Sequence, residues 1–259
     1  IVQTDIKYEK RNYFILLKMS KYSIEICEAI RSVIGDSEYC LHKPQLDHSE
    51  LDNLKKCIET SFVSSVGEYV NKFENMLSNF TKAKNVIALV NGTSALHLAL
   101  KVADIKDNEE VICPSLTFVA TPNAISYVNA KPHFVDVNES TLGLDPLALK
   151  KWLDEIVIKE NGNSINKLTG RKISSIIPMH TFGHPVEIDS ILEIAKEYSL
   201  KVIEDAAESL GSFYKKKHSG TFGDIGTLSF NGNKILTTGG GGALLTNNKL
   251  LAKKAKHLS

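Results

Sequence analysis

Residues 86–100, VIALVNGTSALHLAL, decide the fold class, because a short β-branched run passes directly into a helical pattern. Similar apolar runs recur at EVICP (110–114), HFVDV (133–137), ISSIIP (173–178) and KVIED (201–205), with a helical pattern between successive runs. Alternation of this kind favours a parallel or mixed sheet covered by helices on both faces. We therefore predict an α/β fold, a three-layer sandwich around a mixed, mostly parallel sheet.

The region before this alternation is predicted to be helical. Residues 19–62 contain the patterns IEICEAIRSVIG and SELDNLKKCIETSF, each with apolar residues at helical spacing. Residues 67–83 continue with a stripe made of Val70, Phe73, Leu77 and Phe80. Such stripes usually face a core. We expect a helical segment over 19–62, packed on a large domain over 63–259.

Three further segments have no place in the alternating pattern. The first methionine is Met19, so residues 1–18 are expected to be an extension upstream of the natural start. The chain ends inside the helical pattern LLAKKAKHLS, so it is expected to be truncated at its C-terminus. Residues 159–172, KENGNSINKLTGRK, are polar without periodicity, and we predict a surface loop there.

Composition excludes several classes of partner. Lys and Arg total 31 against 30 Asp and Glu, so charge gives no reason to expect nucleic acid or an anionic membrane surface as a partner. The apolar runs are far shorter than the ~20 residues that span a bilayer. The cysteines form no Cys-x-x-Cys pair, which favours reduced thiols in the cytoplasm. No metal site is expected, because Gly183 and Pro185 interrupt the spacing of His180 and His184.

Ligands of α/β sheets gather at the carboxyl ends of the strands, so the residues there are candidates for a site. Gly92, Thr93 and Ser94 follow VIALV, where they either bind an anion such as a phosphate or only cap the next helix. Asp205 ends KVIED, either as an ordinary helix cap or as the partner of a cationic ring nitrogen. Phe118 follows EVICP, either as a core residue or as a stacking surface for a flat ligand.

A lysine completes the set of candidates. Residues 229–242, SFNGNKILTTGGGG, have the lysine before the glycines, which is the wrong order for a phosphate-binding P-loop. Lys234 is then either solvated or a reactive amine, and the glycines are expected to let the backbone pass close to it. The histidines of MHTFGH stay open between a polar loop and a substrate contact. A planar, phosphorylated, protonated pyridine that carries an aldehyde would use all four features together. These are the anion site at Gly92, Thr93 and Ser94, the Phe118 ring, the Asp205 carboxylate and the Lys234 amine.

The chain resembles a known enzyme family. The stretches NGTSALHLAL, PSLTFVATPNAISYVNAKPHFVDV, EDAAESLGSFYKKKHSGTFGDIGTLSF and NKILTTGGGGALLTNN resemble, in this order, the DegT/DnrJ/EryC1/StrS nucleotide-sugar aminotransferases. The resemblance covers about residues 42–259. It implies pyridoxal 5'-phosphate (PLP) as cofactor and the large domain of the aspartate aminotransferase fold type I, with the small C-terminal domain largely missing. HKPQ, FVSSVGEYVNKFE, MHTFGHP and SFNGNK look most like LegC-type enzymes of legionaminic acid pathways.

The resemblance also implies roles for single residues. Lys234 would be the Schiff-base lysine, and Asp205 would contact the pyridine nitrogen; both would be catalytic. The remaining cofactor-binding residues would be Gly92, Thr93, Ser94, Phe118, Glu208, Ser229 and Asn231. Many relatives have Gln or His in place of Glu208.

The reaction implied is transfer of an amino group from glutamate to a nucleotide-linked 4-keto-6-deoxy sugar by a homodimer. Some relatives carry histidine instead of the lysine and are dehydratases, whereas this chain keeps lysine. The alternatives are a sugar dehydratase or another transaminase, and a non-catalytic fragment. Relatives continue for about one further small domain, so this chain alone is expected to have weak or no turnover. The resemblance leaves UDP and GDP open, as it does the sugar and the stereochemistry of amination.

Overall fold

The chain divides into two compact units, residues 1–41 and 42–259, and the computed structural model describes residues 21–35 and 42–259. The expected extension over 1–18 lies outside the described residues, and the expected division into 19–62 and 63–259 stays a prediction. In the first unit, helix α1 (Lys21–Ile34) has no buried residue. Ile24 and Ile30 are exposed in this helix, and the expectation that its apolar stripe packs on the large domain stays a prediction.

Two helices open the second unit, α2 (His48–Glu59) and α3 (Glu68–Thr81). A capping box starts α2, in which the Ser49 N–H donates to Asp47 Oδ1 and the Asp47 N–H donates to Glu50 Oε2, both at 2.7 Å. No residue of α2 is buried, so the prediction that its apolar residues face a core is wrong. In α3 the prediction is confirmed in part, because Leu77 is buried while Phe80 is exposed.

Strands and helices alternate through the rest of the unit. The strands are β1 (Asn85–Leu89), β2 (Glu110–Pro114), β3 (Lys131–Val135), β4 (Val157–Glu160), β5 (Asn163–Asn166), β6 (Lys172–Ile176), β7 (Lys201–Asp205), β8 (Phe213–Tyr214), β9 (Lys217–His218), β10 (Ile225–Ser229) and β11 (Gly242–Thr246). The helices are α4 (Gly92–Val102), α5 (Ala120–Tyr127), α6 (Pro146–Ile156), α7 (Ile188–Glu197) and α8 (Lys249–Leu258), with a 3-10 turn at Thr181–Gly183. None of the helices in the described ranges combines the length and apolar character of a membrane span.

The main sheet has the strand order β1-β11-β10-β7-β6-β2-β3. Strand β11 runs antiparallel to both of its neighbours. The pairs from β10 through β7, β6 and β2 to β3 are all parallel. The predicted α/β fold with a mixed, mostly parallel sheet is confirmed.

The sheet is covered on both faces, as a three-layer fold requires. Neighbouring strand residues point to opposite faces, so Val111 packs with α4 and α5 while Ile112 packs with α6 and α7. The helices contribute fully buried side chains to each layer, such as Leu100 from α4 and Leu153 from α6.

The predicted surface loop over 159–172 is wrong for half of its length, where the residues belong to strands β4, β5 and β6. Strands β4 and β5 form an antiparallel hairpin, and β5 pairs with β6 at the sheet. Two polar side chains of this segment bind a buried carboxylate. Asn166 Nδ2 and Thr169 Oγ1 donate to Glu110 at 2.8 and 2.6 Å.

Candidate active site

The carboxyl ends of strands β1, β2, β6, β7 and β10 meet at a cavity of about 270 Å³. Eight of the nine predicted site residues line it: Gly92, Thr93, Phe118, Asp205, Glu208, Ser229, Asn231 and Lys234. Ser94, the ninth, does not line this cavity. The rule that ligands gather at strand ends therefore led to residues that the fold brings together.

Asp205 forms the floor of the cavity and is 2% exposed. Its carboxylate accepts hydrogen bonds from Thr121 Oγ1 at 2.7 Å and from the Ala207 N–H at 3.2 Å. Burial raises the pKa of Asp205, although these hydrogen bonds and the charge of Lys234 act in the opposite direction. The residues directly after β7 form turns and not a helix, so Asp205 is not a helix cap. A cationic ligand group beside it would keep this buried carboxylate ionised.

Lys234 reaches the same cavity from the loop between β10 and β11. Its Nζ lies 2.8 Å from Glu208 Oε1 and 5.5 Å from the centroid of the Phe118 ring. The Lys234 side chain is only 11% exposed, so the alternative of a solvated lysine is wrong. The loop is closed by the Phe230 N–H, which donates to the Gly241 carbonyl at 2.8 Å. The amine is therefore held inside the site, beside a carboxylate and an aromatic face.

Phe118 is 63% exposed, and the alternative of a core phenylalanine is wrong. The residue follows β2, and the Phe118 N–H contacts the Met179 sulfur at 3.3 Å. Its ring lines the cavity together with Asp205. The exposed ring offers a stacking face to a flat ligand in a cavity that also holds a buried carboxylate.

The start of α4 contributes backbone and hydroxyl groups to the cavity. Asn91 caps this helix, because its Oδ1 accepts from the Ser94 N–H at 2.7 Å. Gly92 lies against Ser229, and a Cβ at position 92 would fall 2.8 Å from the Ser229 Cβ. The positive end of the α4 dipole thus meets the cavity between Gly92, Thr93 and Ser229, where an anion is favoured.

The sequence did not single out several residues around this cavity, among them Asn91, Thr121, Met179 and Asn233. Of the two histidines left open, His180 is buried and lines the cavity, whereas His184 is exposed. The Val186 N–H donates to His180 Nδ1 at 3.2 Å, so the ring proton sits on Nε2. That proton faces Glu204 Oε2, which is 3.0 Å away.

Glu204 is fully buried next to Asp205 on β7. Burial by itself raises the pKa of Glu204, but the hydrogen bonds from His180 and from the amides of Gly223 and Gly220 hold the pKa below its usual value. The amides lie 2.7 and 2.8 Å from the carboxylate. Glu204 therefore stays ionised and ties the turn before β10 to the loop after β6.

None of Gly239–Gly242 lines the cavity that Lys234 enters, and the expectation that these glycines lie beside the lysine stays a prediction. Gly242 packs on the backbone before α4, where a Cβ would fall 2.3 Å from the Asn91 carbonyl oxygen. Among residues 21–35 and 42–259, no group of three or more His, Cys, Asp and Glu side chains is arranged to hold a metal ion.

A comparison with protein families matches residues 44–259 to the model of the DegT/DnrJ/EryC1/StrS aminotransferase family. The chain belongs to this family. Two curated relatives named GDP-perosamine synthase support the match. The one from Caulobacter vibrioides is 40% identical over 76% of this chain and 48% of its own length, and the one from Escherichia coli O157:H7 is 39% identical over 84% and 55%. The chain spans about half the length of these relatives.

A solved structure of an aminotransferase gives the same result for the fold. An aminotransferase from Psychrobacter cryohalolentis matches with a TM-score of 0.73 and 32% identity, over 82% of this chain and 50% of that chain. The expected family and the large-domain architecture of fold type I aminotransferases are thereby confirmed.

Proposed function

We propose that the whole protein is a PLP-dependent aminotransferase that moves an amino group from glutamate to a nucleotide-linked 4-keto-6-deoxy sugar. One observation carries the proposal: the Lys234 amine, the buried Asp205 carboxylate and the Phe118 ring share one cavity. The family match and the relatives named GDP-perosamine synthase support an amino-sugar product.

The residues of the cavity fit PLP. Asp205 is a buried carboxylate whose pKa is raised by burial, so it gains from a protonated ring nitrogen at the floor. Phe118 offers an exposed ring face to a flat cofactor. The proposed phosphate ligands are Gly92, Thr93, Ser94 and Ser229, with Asn231 and Glu208 as further contacts. Gly92, Thr93 and Ser229 line the cavity at the start of α4, which suits a dianionic group.

The protein groups then have separate tasks. When bound, PLP supplies a carbonyl that takes up the amino group and a ring that accepts electrons. Asp205, ionised beside a cationic nitrogen, keeps that nitrogen protonated. The Lys234 amine, once free, is the general base and acid that moves the proton between cofactor carbon and substrate carbon. Glu208, 2.8 Å from Lys234 Nζ, holds the amine in the cavity.

Finer features of this function are also proposals. The stretches HKPQ, MHTFGHP and SFNGNK support a sugar of the legionaminic acid type or a related surface-glycan sugar. Family resemblance supports a homodimer, and the lack of Cys-x-x-Cys pairs supports a cytoplasmic protein. The lysine at position 234 argues against a dehydratase, and its burial beside Glu208 argues against a non-catalytic fragment.

The test uses the PLP-loaded whole protein, reduced with borohydride and digested for mass spectrometry. We expect the cofactor mass on the peptide that contains Lys234, and none after Lys234→Arg. Lys249→Arg is the matched control, because Lys249 is an exposed lysine at the start of α8. In a separate sample that has not been reduced, glutamate should convert the cofactor to its amine form, and a keto-sugar nucleotide should reverse that change. A cofactor mass on another lysine would contradict the assignment.

A further inference from the structure

Phe182 combines two unfavourable properties. Its backbone is left-handed, with φ 53° and ψ 25°, a region that bulky residues rarely adopt. Its side chain is 76% exposed, so the ring gains little from burial. Neither property stabilises the chain. Residues held in such conformations persist when the surrounding structure imposes them, and they cluster at functional sites.

The surrounding loop does impose this conformation. On one side of Phe182, Thr181 is buried and its Oγ1 donates to the Leu142 carbonyl at 3.0 Å. One residue earlier, His180 is anchored through Glu204 and the Val186 N–H. These buried contacts hold the loop, while the Phe182 side chain stays outside.

Gly183 fixes the other side of Phe182. Its φ is +82°, and a Cβ there would fall 2.4 Å from the Glu208 carbonyl oxygen, so only glycine fits. The Gly183 N–H also donates to the His180 carbonyl at 3.0 Å. The loop that displays Phe182 is thus packed against Glu208, the residue that pairs with the Lys234 amine.

The Phe182 ring lines a second cavity of about 280 Å³. Glu208, Asn233 and Lys234 line both this cavity and the one above Asp205. Lys234 therefore stands between an inner space with a carboxylate floor and an outer space with an exposed aromatic wall. The outer space adjoins the lysine amine, so it offers room for the part of a substrate that extends away from the reacting atoms.

We propose that Phe182 is a platform for the apolar C–H face of the sugar ring of the amino-group acceptor. This inference rests on the proposed function and names a specificity-determining residue for it. The sugar ring carries the reacting carbonyl, so it lies nearest to Lys234, and the nucleotide lies farther out. Burial of C–H groups against an exposed aromatic face is favourable. Glutamate has two carboxylates and no flat apolar face, so the donor does not need the ring.

The first experiment measures both half-reactions of the PLP-loaded whole protein. In Phe182→Ala and Phe182→Asn we expect kcat/KM for the keto-sugar nucleotide to fall by about tenfold, the worth of one aromatic contact. The glutamate half-reaction should stay unchanged, and Phe182→Tyr should restore the sugar reaction. Phe213→Ala, which removes an exposed aromatic ring from β8, is the matched control and should leave both half-reactions unchanged.

Two further readouts need no turnover. Calorimetry measures the affinity for GDP and GDP-mannose, and for UDP and UDP-N-acetylglucosamine. In each pair the sugar should add affinity in the wild type. In Phe182→Ala this added affinity should vanish, while GDP and UDP bind as before. The melting temperature of Phe182→Asn should exceed that of Phe182→Ala, because Asn tolerates the left-handed backbone.

The outcomes separate this inference from the proposed function. Unchanged sugar kinetics and unchanged sugar-dependent affinity in Phe182→Ala overturn the platform while the transferase stands. If Phe182→Ala weakens the binding of GDP and UDP themselves, the Phe182 ring contacts the nucleotide and not the sugar. If Phe182→Ala impairs the glutamate half-reaction, the substitution damages the site in general. Either result overturns the platform. A wild-type protein that neither attaches PLP to Lys234 nor binds a sugar nucleotide overturns the function and the platform together.

Discussion

The surroundings of Glu110 predict how much unfolding free energy the protein loses at low pH. This carboxylate, at the start of β2 and 3% exposed, lies at the opposite end of the strand from the cavity. It accepts from Asn166 Nδ2 and Thr169 Oγ1, and His133 Nδ1 lies 3.0 Å away. Trp152 Nε1 donates to His133 Nε2, so the histidine proton is on Nδ1 and faces Glu110.

Burial by itself raises the pKa of Glu110, but the hydrogen bonds from His133, Thr169 and Asn166 outweigh it and lower the pKa from 4.5 to about 2. A lowered pKa in the folded state means that the stabilisation is complete above pH 4.5 and is lost as the pH falls through 2. The difference of roughly 2.5 pH units, at about 1.4 kcal/mol each, corresponds to about 3 kcal/mol. Roughly half of it should be lost near pH 3.

The assay is urea unfolding of wild type and Glu110→Gln from pH 7 to pH 2. The difference in unfolding free energy between them should shrink by about 3 kcal/mol over this range, because the variant has no carboxyl group to titrate. Glu155→Gln, at an exposed position of α6, should give a curve parallel to wild type. Parallel curves for Glu110→Gln as well would refute the reasoning about the buried carboxylate.

Two further predictions concern the cavity. Asp205→Asn keeps the size of the side chain but removes the charge, so the rate of amino transfer should fall by about a hundredfold or more while PLP still attaches to Lys234; an unchanged rate would remove Asp205 from the mechanism. Gly92→Ala places a methyl group 2.8 Å from the Ser229 Cβ, so spectroscopic titration should show PLP binding about tenfold weaker. Pyridoxal, which lacks the phosphate, should bind as before, and equal weakening of both ligands would contradict a phosphate site there.

Much of the fold is readable from the sequence because buried parallel strands are continuous apolar runs. EVICP and KVIED coincide with β2 and β7, and the other predicted strands differ from the observed ones by one or two residues. The β4–β5 hairpin was missed for a physical reason. Its polar residues include Asn166, which is buried and donates to Glu110. The spacing of apolar residues does not reveal such a polar contact.

Helical spacing predicts a helix but not what covers its apolar face. α1 and α2 are helices as predicted, and their apolar residues are exposed. In α3 the same spacing does face a core, where Leu77 is buried and Phe73 packs edge to face on Phe230 at 5.1 Å. Nothing in the period itself separates these cases.

The predicted site residues share one property, a position after a strand or in a Gly-containing turn. Thr121 does not have this property, and His180 follows a strand but its role was left open. Thr121 matters because its hydroxyl reaches Asp205 across the sheet, and His180 because it reaches Glu204 on the neighbouring strand. Such contacts depend on strand order, which local patterns do not contain.

The residues at the floor of the site are buried and those at its mouth are exposed, and we expect the two groups to have different roles. Asp205 and Ser229 lie at the ends of strands and are buried, so the sheet holds them in place. A substitution at either residue should affect the binding of every ligand. Phe118 and Phe182 are exposed and stand on loops, so their contacts depend on the ligand that covers them. Lys234 lies between the two groups, lining both the inner and the outer cavity. Substitutions at the floor should therefore impair both half-reactions, whereas those at the mouth should distinguish one substrate from the other.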